Sequence, residues 1–289
     1  MPYTPGVDFD GLPVTLGTLR LGSVDDAGVA WFLQKKDGWD SPEVRADLQE
    51  RQADHGSWFS PVYLGSRPIT LAGTIEAPSR AALQDAWDRM LVAASLTDTT
   101  LTVWESTPKQ VTVRRSGKQL MEYVTDRTAT WSVMVTAEDP RRYSTDLQSG
   151  TTGLPSTSGG LVFPVTPPIT FSATTVSGSI GAVNSGTFET RPILTITGPV
   201  VAPVVSALYP DGTVRQLVYS QDLQAGDVLV IDTDAHSVTL NGNASRRRFM
   251  SVPSGWPSIP AMASVSYQFA SGTYNSTAML TAQWRSAWM

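Results

Sequence analysis

One stretch near the middle of the chain cannot contribute to a hydrophobic core. Residues 149–160 read SGTTGLPSTSGG, in which Leu154 is the only large apolar side chain. Runs of Gly, Ser, Thr and Pro bury little apolar surface and are typical of linkers. The pair Pro167–Pro168 marks the far end of this stretch. The sequence therefore predicts two domains, residues 1–148 and residues 168–289, joined by a linker over residues 149–167.

The two predicted domains differ in charge. Residues 1–148 contain 15 basic and 20 acidic side chains, whereas residues 149–289 contain 6 of each, and the whole chain has a formal net charge of −5. A nucleic-acid-binding protein needs a basic surface, and an anionic membrane repels an acidic protein. Composition therefore favours neither DNA binding nor membrane attachment.

The chain has no cysteine, which excludes disulfides, thiolate metal sites and cysteine nucleophiles. Its first residues, MPYTPGVDFDG, have no basic segment followed by an apolar one, so no secretory signal is predicted. We expect a protein that is made and assembled in a cytoplasm.

The first domain is predicted to be α+β, with one helix and an antiparallel sheet. Residues 78–96 place apolar side chains at helical spacing, with Ser79 as the N-cap; these are Leu83, Trp87, Met90, Leu91 and Ala94. Strands are predicted from alternation at residues 67–77, 99–106, 110–116 and 127–140.

The second domain is predicted to be a β-sandwich. Short alternating runs recur at residues 193–198, 213–220, 227–232, 237–242 and 264–270. Turn residues separate them, among them Pro210–Asp211–Gly212 and Asn241–Gly242, where glycine accepts a positive φ at low cost.

Residues 39–58, WDSPEVRADLQERQADHGSW, fit neither pattern. Ser41–Pro42–Glu43 resembles a helix start, but Val44 and Leu48 are too few to form a buried stripe. Long polar excursions inside compact domains are usually functional or mobile. The sequence leaves two alternatives open, a mobile surface loop and an assembly loop.

No catalytic or metal-binding constellation is present. His55 and His236 lie in turn-like contexts without His-x-x-x-His spacing, and no nucleophile elbow, dinucleotide-binding loop or Walker A loop occurs. Asp8 and Asp10 precede Gly11, but the rest of a calcium loop is missing and a turn is the better interpretation. The sequence therefore predicts no enzyme, no cofactor and no metal site.

Nine tryptophans offer the main alternative for binding. Trp31, Trp87, Trp104 and Trp131 lie in strand or helix patterns and are predicted to be core. Trp256 lies in a Pro-rich loop and is a candidate sugar platform, with packing under the loop as the plainer alternative. The basic cluster Arg246–Arg248 is predicted to be a solvated edge.

Taken in order, several segments resemble the distal tail (Dit) proteins of siphophages, especially those of phages that infect actinobacteria. The likeness lies in residues 38–58, 66–83 and 131–144 of the first domain. In the second domain it lies in residues 184–199 and 223–233, followed by VTLNG.

This resemblance implies a structural protein of the virion tail tip. Six first domains would close a ring, and galectin-like second domains would project from it. The ring would join the tail tube protein to the hub protein and could carry receptor-binding proteins, while genome DNA passes through the lumen unbound. The alternatives are a monomeric carbohydrate-binding or adhesion module and, third, a glycan hydrolase built on a β-sandwich.

Within such a ring the polar excursion is the expected inter-subunit contact. Arg45 and Arg51 are its predicted anchors, since arginine forms forked bonds to carboxylates and is favoured at interfaces. Trp39 and Trp58 flank the segment and are expected to pin its ends.

Overall fold

The computed structural model describes Phe9, residues 13–158 and residues 174–289. The chain folds into two compact units. Unit 1 comprises Met1–Thr145 together with Met289, and unit 2 comprises Asp146–Trp288. Both units are built of antiparallel strands, and unit 1 contains the one α-helix of the described residues, α1 (Arg80–Ala93). The predicted fold class, mainly β with one helix, is confirmed.

Unit 1 contains fourteen described strands, several of them very short. They are β1 Val14–Leu16, β2 Leu19–Leu21, β3 Ser23–Val24, β4 Ala30–Asp37, β5 Val44–Arg45, β6 Leu48–Glu50, β7 Ser57–Phe59, β8 Tyr63–Leu64, β9 Arg67–Glu76, β10 Thr99–Val103, β11 Lys109–Arg115, β12 Leu120–Tyr123, β13 Thr128–Ala137 and β14 Arg142–Ser144. The main sheet has the order β2-β1-β10-β11-β13-β9-β4-β3, and β12 also pairs with β13.

The centre of this sheet is the pair β9–β13, which is in register over ten residues. Both strands alternate buried and part-exposed positions, as the period of two in their sequences predicts. The inward side chains of these strands pack with α1 in one core, which includes Ile69, Leu71, Trp131 and Val133. The strands predicted at residues 67–77, 99–106, 110–116 and 127–140 are all present.

Helix α1 begins as predicted, because the Ser79 hydroxyl accepts a hydrogen bond from the Ala82 amide at 3.1 Å. Its buried face is rotated from the predicted one and consists of Leu83, Ala86, Met90 and Ala93. Leu91, predicted to be core, is exposed instead. Alanines on the buried side let the helix approach the sheet closely and leave Leu91 on the outside.

Two of the four tryptophans predicted to be core, Trp31 and Trp131, are buried, and Trp87 packs partly against the core. Trp104 is a correction, since 41% of its surface is exposed and its indole nitrogen donates to the Thr15 hydroxyl at 2.9 Å. It follows the last residue of β10, where the alternation no longer points its side chain inward.

Unit 2 is a sandwich of two main sheets, which confirms the predicted β-sandwich. Its strands are β15 Gln148–Gly153, β16 Ser156–Ser158, β17 Thr174–Val176, β18 Ser179–Asn184, β19 Ile193–Thr197, β20 Val204–Leu208, β21 Val214–Tyr219, β22 Val228–Asp232, β23 Ser237–Leu240, β24 Ala244–Ser245, β25 Met250–Ser251, β26 Ala263–Ala270, β27 Met279–Trp284 and β28 Ala287–Trp288. One sheet has the order β15-β27-β19-β22-β23-β24 and the other β18-β26-β20-β21-β25.

The first part of the predicted linker is instead sheet. β15 pairs with β27 from Gln148↔Trp284 to Gly153↔Met279, and Leu154 is buried. Main-chain hydrogen bonds to a core strand compensate for the poor apolar content of this run, and Gly150 suits a place where a Cβ would lie 2.4 Å from Ile180 Cγ2. Residues 159–167 of the predicted linker lie outside the described residues, as do Asp8, Asp10 and the predicted start of the second domain at Pro168.

Candidate assembly interface

Residues 43–65 form a two-stranded β-ribbon, which we call the arm. It leaves the main sheet after β4 and returns into β9. Glu43 and Gly65 close its base through an amide-to-carbonyl bond of 2.8 Å, and β5–β8 and β6–β7 pair along its length. The helix start suggested by Ser41–Pro42–Glu43 is therefore wrong: Val44 lies opposite Leu64 and Leu48 opposite Phe59, and such apolar cross-strand pairs favour an antiparallel ribbon.

The arm exposes large apolar side chains, and no third strand among the described residues pairs with it. Phe59 is 76% exposed and Trp58 64% exposed, and the same holds for the further side chains Val44, Leu48, Val62 and Tyr63. A lone two-stranded ribbon is marginally stable in water and normally needs packing against another element. Several large apolar side chains exposed on one short segment favour an interaction site there.

Two of the residues predicted at an interface meet at the tip of the arm. The Arg51 guanidinium lies 4.4 Å from the centre of the Trp58 ring, and its Nη1 lies 3.6 Å from Asp54 Oδ2. The turn is closed by an Arg51 amide bond to the Gly56 carbonyl, and His55 is exposed within it. Arg45 is also exposed, on β5 opposite Tyr63.

The fourth predicted residue, Trp39, lies at the root of the arm and has no exposed surface. Its indole nitrogen donates to Glu105 Oε1 at 2.6 Å. Trp39 therefore cannot itself contact a neighbouring chain in this conformation, which corrects that part of the site prediction. It holds one end of the segment in the core, and Trp58, which was expected to hold the other, stands in solvent.

A fully buried arginine, Arg67, lies beside Trp39 at the base of the arm, where the arm leaves the sheet; we call this base the root. Arg67 donates from Nε to the Pro140 carbonyl at 2.8 Å, from Nη1 to the Gly38 carbonyl at 3.2 Å and also to the Trp39 carbonyl. Burial, together with the nearby Arg142 charge, lowers the pKa of Arg67 to about 10. Gly38 suits its position because its φ is +83° and a Cβ there would lie 1.9 Å from the Pro68 carbonyl oxygen.

Glu105 forms ion pairs with the lysines that lie around Trp39. Lys109 forms an ion pair with it, and Lys36 Nζ lies 3.9 Å from its Oε1. Burial alone would raise the pKa of Glu105, but the hydrogen bonds from Lys109 and Trp39 and the Lys36 charge together lower it below the ordinary value. Burial lowers the pKa of Lys36, against the opposing effect of Glu105. Glu105 thus connects Trp39, Lys109 and Lys36 at the root of the arm.

Sequence reasoning missed Arg67 and Glu105. One signal was available, because Arg67 opens a strand whose following residues alternate strictly, and its phase places Arg67 on the buried face with Ile69 and Leu71. Nothing in the sequence pairs Glu105 with Trp39, which lies 66 residues away.

The candidate sugar platform in unit 2 is already occupied by the chain's own side chains. His236 stacks on Trp256 with ring centres 4.8 Å apart, and Arg247 lies 5.0 Å from the centre of the same ring. His236 lies in the β22–β23 turn with φ +53°, as the predicted turn requires. Arg247 and Arg248 are exposed and Arg246 is half-buried. This arrangement favours packing under the loop over a free stacking surface.

Within the described part of the chain, no group of three or more His, Cys, Asp and Glu side chains is placed to hold a metal ion. No described helix is both long and apolar enough to span a membrane. One concave surface in unit 1 lies between α1 and the β2–β3 region, and two of its charged members, Asp25 and Arg89, pair with each other at 2.5 Å.

Comparison with known proteins addresses the two units differently. Residues 185–288 match the family described as siphovirus-type tail component, C-terminal domain. The crystal structure of the Dit protein of phage SPP1, described as a paradigm of the hub adsorption apparatus in phages that infect Gram-positive hosts, is similar at 9% identity and a TM-score of 0.67. The match covers 97% of this chain and 100% of that one.

A chain of the phage P2 baseplate in its activated conformation with Ca matches at 10% identity and a TM-score of 0.49, over 94% of this chain and 97% of that one. No curated protein matches the sequence. Residues 185–288 are thus similar to the siphovirus-type tail component C-terminal domain, and the chain has, along nearly its whole length, a fold similar to that of SPP1 Dit, which confirms its resemblance to the siphophage distal tail proteins.

Proposed function

We propose that this protein is a structural component of the tail tip and forms a homo-hexameric ring there. The observation that carries the proposal is the match to SPP1 Dit, which extends over both units and over the full length of that protein. The family match in unit 2 supports the same role independently. Neither the matched family nor SPP1 Dit is described as an enzyme.

The arm supplies a physical reason for assembly. Its exposed aromatic and aliphatic side chains have no cover within unit 1, and burying them against another copy removes apolar surface from water. Closed rings bury every such contact once per subunit and leave no free end. In this role Arg45, Arg51 and Trp58 are the contact residues, and Trp39 with Arg67 fixes the direction in which the arm leaves the sheet.

In this proposal the ring joins the tail tube protein to the tail-tip hub protein, and unit 2 carries contacts to receptor-binding proteins. Unit 1 lines the channel through which the genome passes. Its sequence has 20 acidic against 15 basic side chains over residues 1–148, a balance that avoids holding DNA by phosphate contacts.

The proposal is tested by the mass of the purified protein in solution together with negative-stain images. Six-fold rings at micromolar concentration, and labelling of the tail tip by antibodies raised against the chain, are the expected results. A protein that stays monomeric at high concentration and is also absent from virions contradicts the proposal. A monomer that binds polysaccharide would instead favour the carbohydrate-binding alternative.

A further inference from the structure

A second exposed surface of unit 1 combines apolar and basic side chains. It lies where α1 ends and where the loop between β11 and β12 passes beneath it, and it is concave. Leu96 is 69% exposed there, and Leu91 is exposed beside it. Arg115 and Lys118 contribute positive charge. We call these four residues the receiving patch.

The receiving patch is held in shape by the fold. The Arg115 amide donates to the Ser95 carbonyl at 2.9 Å, and the Gln119 side chain lies 3.4 Å from the Met90 carbonyl. Gly117 lies against Met134, where a Cβ would be 3.0 Å from the methionine Cβ. A preformed surface costs little ordering entropy when a partner binds.

Its chemistry complements that of the arm. Residues 43–65 contain four acidic side chains, Glu43, Asp47, Glu50 and Asp54, against the two arginines 45 and 51. Arg51 is engaged with Asp54 and Trp58, so the charge that the arm presents outward is mainly negative. The residues that line the receiving patch include two cations and no acid. The arm and the receiving patch therefore both expose apolar side chains, and their net charges are opposite.

The topology separates the two surfaces by one strand of the sheet. The arm leaves from β4 and β9, whereas the receiving patch lies beside β11 and β12, on the other side of β13. A closed ring requires two different surfaces on each subunit, one for each neighbour. We infer that the arm of one copy docks on the receiving patch of the next copy; this inference depends on the proposed ring.

The absence of cysteine makes this contact directly testable. The variant Phe59→Cys/Leu96→Cys places one thiol on the arm and one on the receiving patch. Under mild oxidation we expect disulfides between copies. On a non-reducing gel these should give a ladder of bands whose largest member has the mass of the complete ring. The matched control Phe59→Cys/Asp126→Cys puts the second thiol in the exposed turn before β13, and it should give no ladder, because a disulfide needs Cα atoms within about 7 Å.

The possible outcomes separate the inference from the proposed function. Rings that form without cross-links in the Phe59→Cys/Leu96→Cys variant, or cross-links that stay within one chain, overturn the inference and leave the ring standing. A protein that never forms rings, with or without the cysteines, contradicts the proposed function itself.

Charge reversal gives a second, independent readout. Lys118→Glu should raise the protein concentration needed for half-assembly about tenfold, because it replaces an attraction to the arm by a repulsion of similar size. Arg127→Glu, in the turn before β13, removes the same charge from a surface outside the contact and should leave assembly unchanged. Equal assembly of Lys118→Glu and the unaltered protein would overturn the inference.

Discussion

The indole nitrogen of Trp39 and the carboxylate of Glu105, 66 residues apart in sequence, meet at 2.6 Å beneath the root of the arm. Replacing Glu105 by Ala leaves a buried indole N–H without an acceptor and removes the partner of Lys109 and Lys36. We expect a loss of about 2 kcal/mol in the free energy of unfolding, measured by urea titration. Glu122→Ala, on the exposed face of β12, is the control and should change stability by less than about 0.5 kcal/mol.

The same carboxylate gives a pH dependence. Because the folded-state pKa of Glu105 is lowered, its stabilising contribution is fully present above the pKa of a free glutamate, about 4.3, and is lost as the pH falls through the lower folded-state pKa. Between pH 7 and pH 3 the stability of the unaltered protein should therefore fall more steeply than that of Glu105→Gln. Parallel curves for the two proteins would show that Glu105 is not the titrating group.

Arg67→Met should cost about 3 kcal/mol of stability, because the buried carbonyls of Gly38, Trp39 and Pro140 lose their donor and methionine offers none. Thermal unfolding followed by circular dichroism measures the effect. Arg114→Met removes an exposed ion pair with Asp98 and should cost far less stability, because solvent screens such a pair. Equal effects of the two variants would mean that the Arg67 hydrogen bonds contribute little.

Arg45→Ala/Arg51→Ala should weaken ring assembly and leave the fold of the single chain intact. Both side chains lie on the arm and outside the core. Loss of Arg51 frees the Trp58 ring from its stacked cation and leaves Asp54 without this ion pair, so the tip of the arm changes shape. The expected loss of assembly comes from this change at the tip and not from an ion pair with the cationic receiving patch. Sedimentation velocity across a concentration series measures assembly, and near-ultraviolet circular dichroism checks the fold. Unchanged assembly in the double variant would remove these arginines from the interface.

Unit 1 should fold by itself when the chain ends after Thr145. All the buried residues of its hydrophobic core lie between Val14 and Ala137. A chain ending after residue 160 should fold equally well but carry a protease-sensitive tail, because β15 would then lack its partner β27. Cooperative unfolding of residues 1–145 is the expected result, and its absence would contradict the independence of the unit.

The assembled ring should not retain duplex DNA at about 0.15 M salt, since phosphate binding needs clustered Lys and Arg and weakens steeply with salt. A gel-shift assay with the purified ring measures this. A retained band at that salt concentration, or a channel lined by more basic than acidic side chains, would contradict the expectation.

Elements fixed by local alternation were predictable from sequence. β9, β13, β19 and β22 each bury every second residue, and the period alone located them. The α1 start was predictable because Ser79 caps it by a bond to a residue three positions away.

Elements fixed by a distant partner were not predictable. β15 is a strand only because β27, some 130 residues later, supplies its hydrogen bonds, and its Gly/Ser/Thr composition predicts a linker. The arm was recognised as unusual, but its ribbon pairing, the burial of Trp39 and the roles of Arg67 and Glu105 depend on contacts between segments that no local pattern connects.

The pairing of Gln148 with Trp284 has one more consequence. The first and last long strands of one sheet of unit 2 run side by side in opposite directions, so the chain enters and leaves that unit at neighbouring points. A domain with adjacent ends can be exchanged for another of different shape without stretching the connections on either side. Unit 2 can therefore be exchanged as one module, while the part of the chain that carries the arm and the receiving patch stays unaltered.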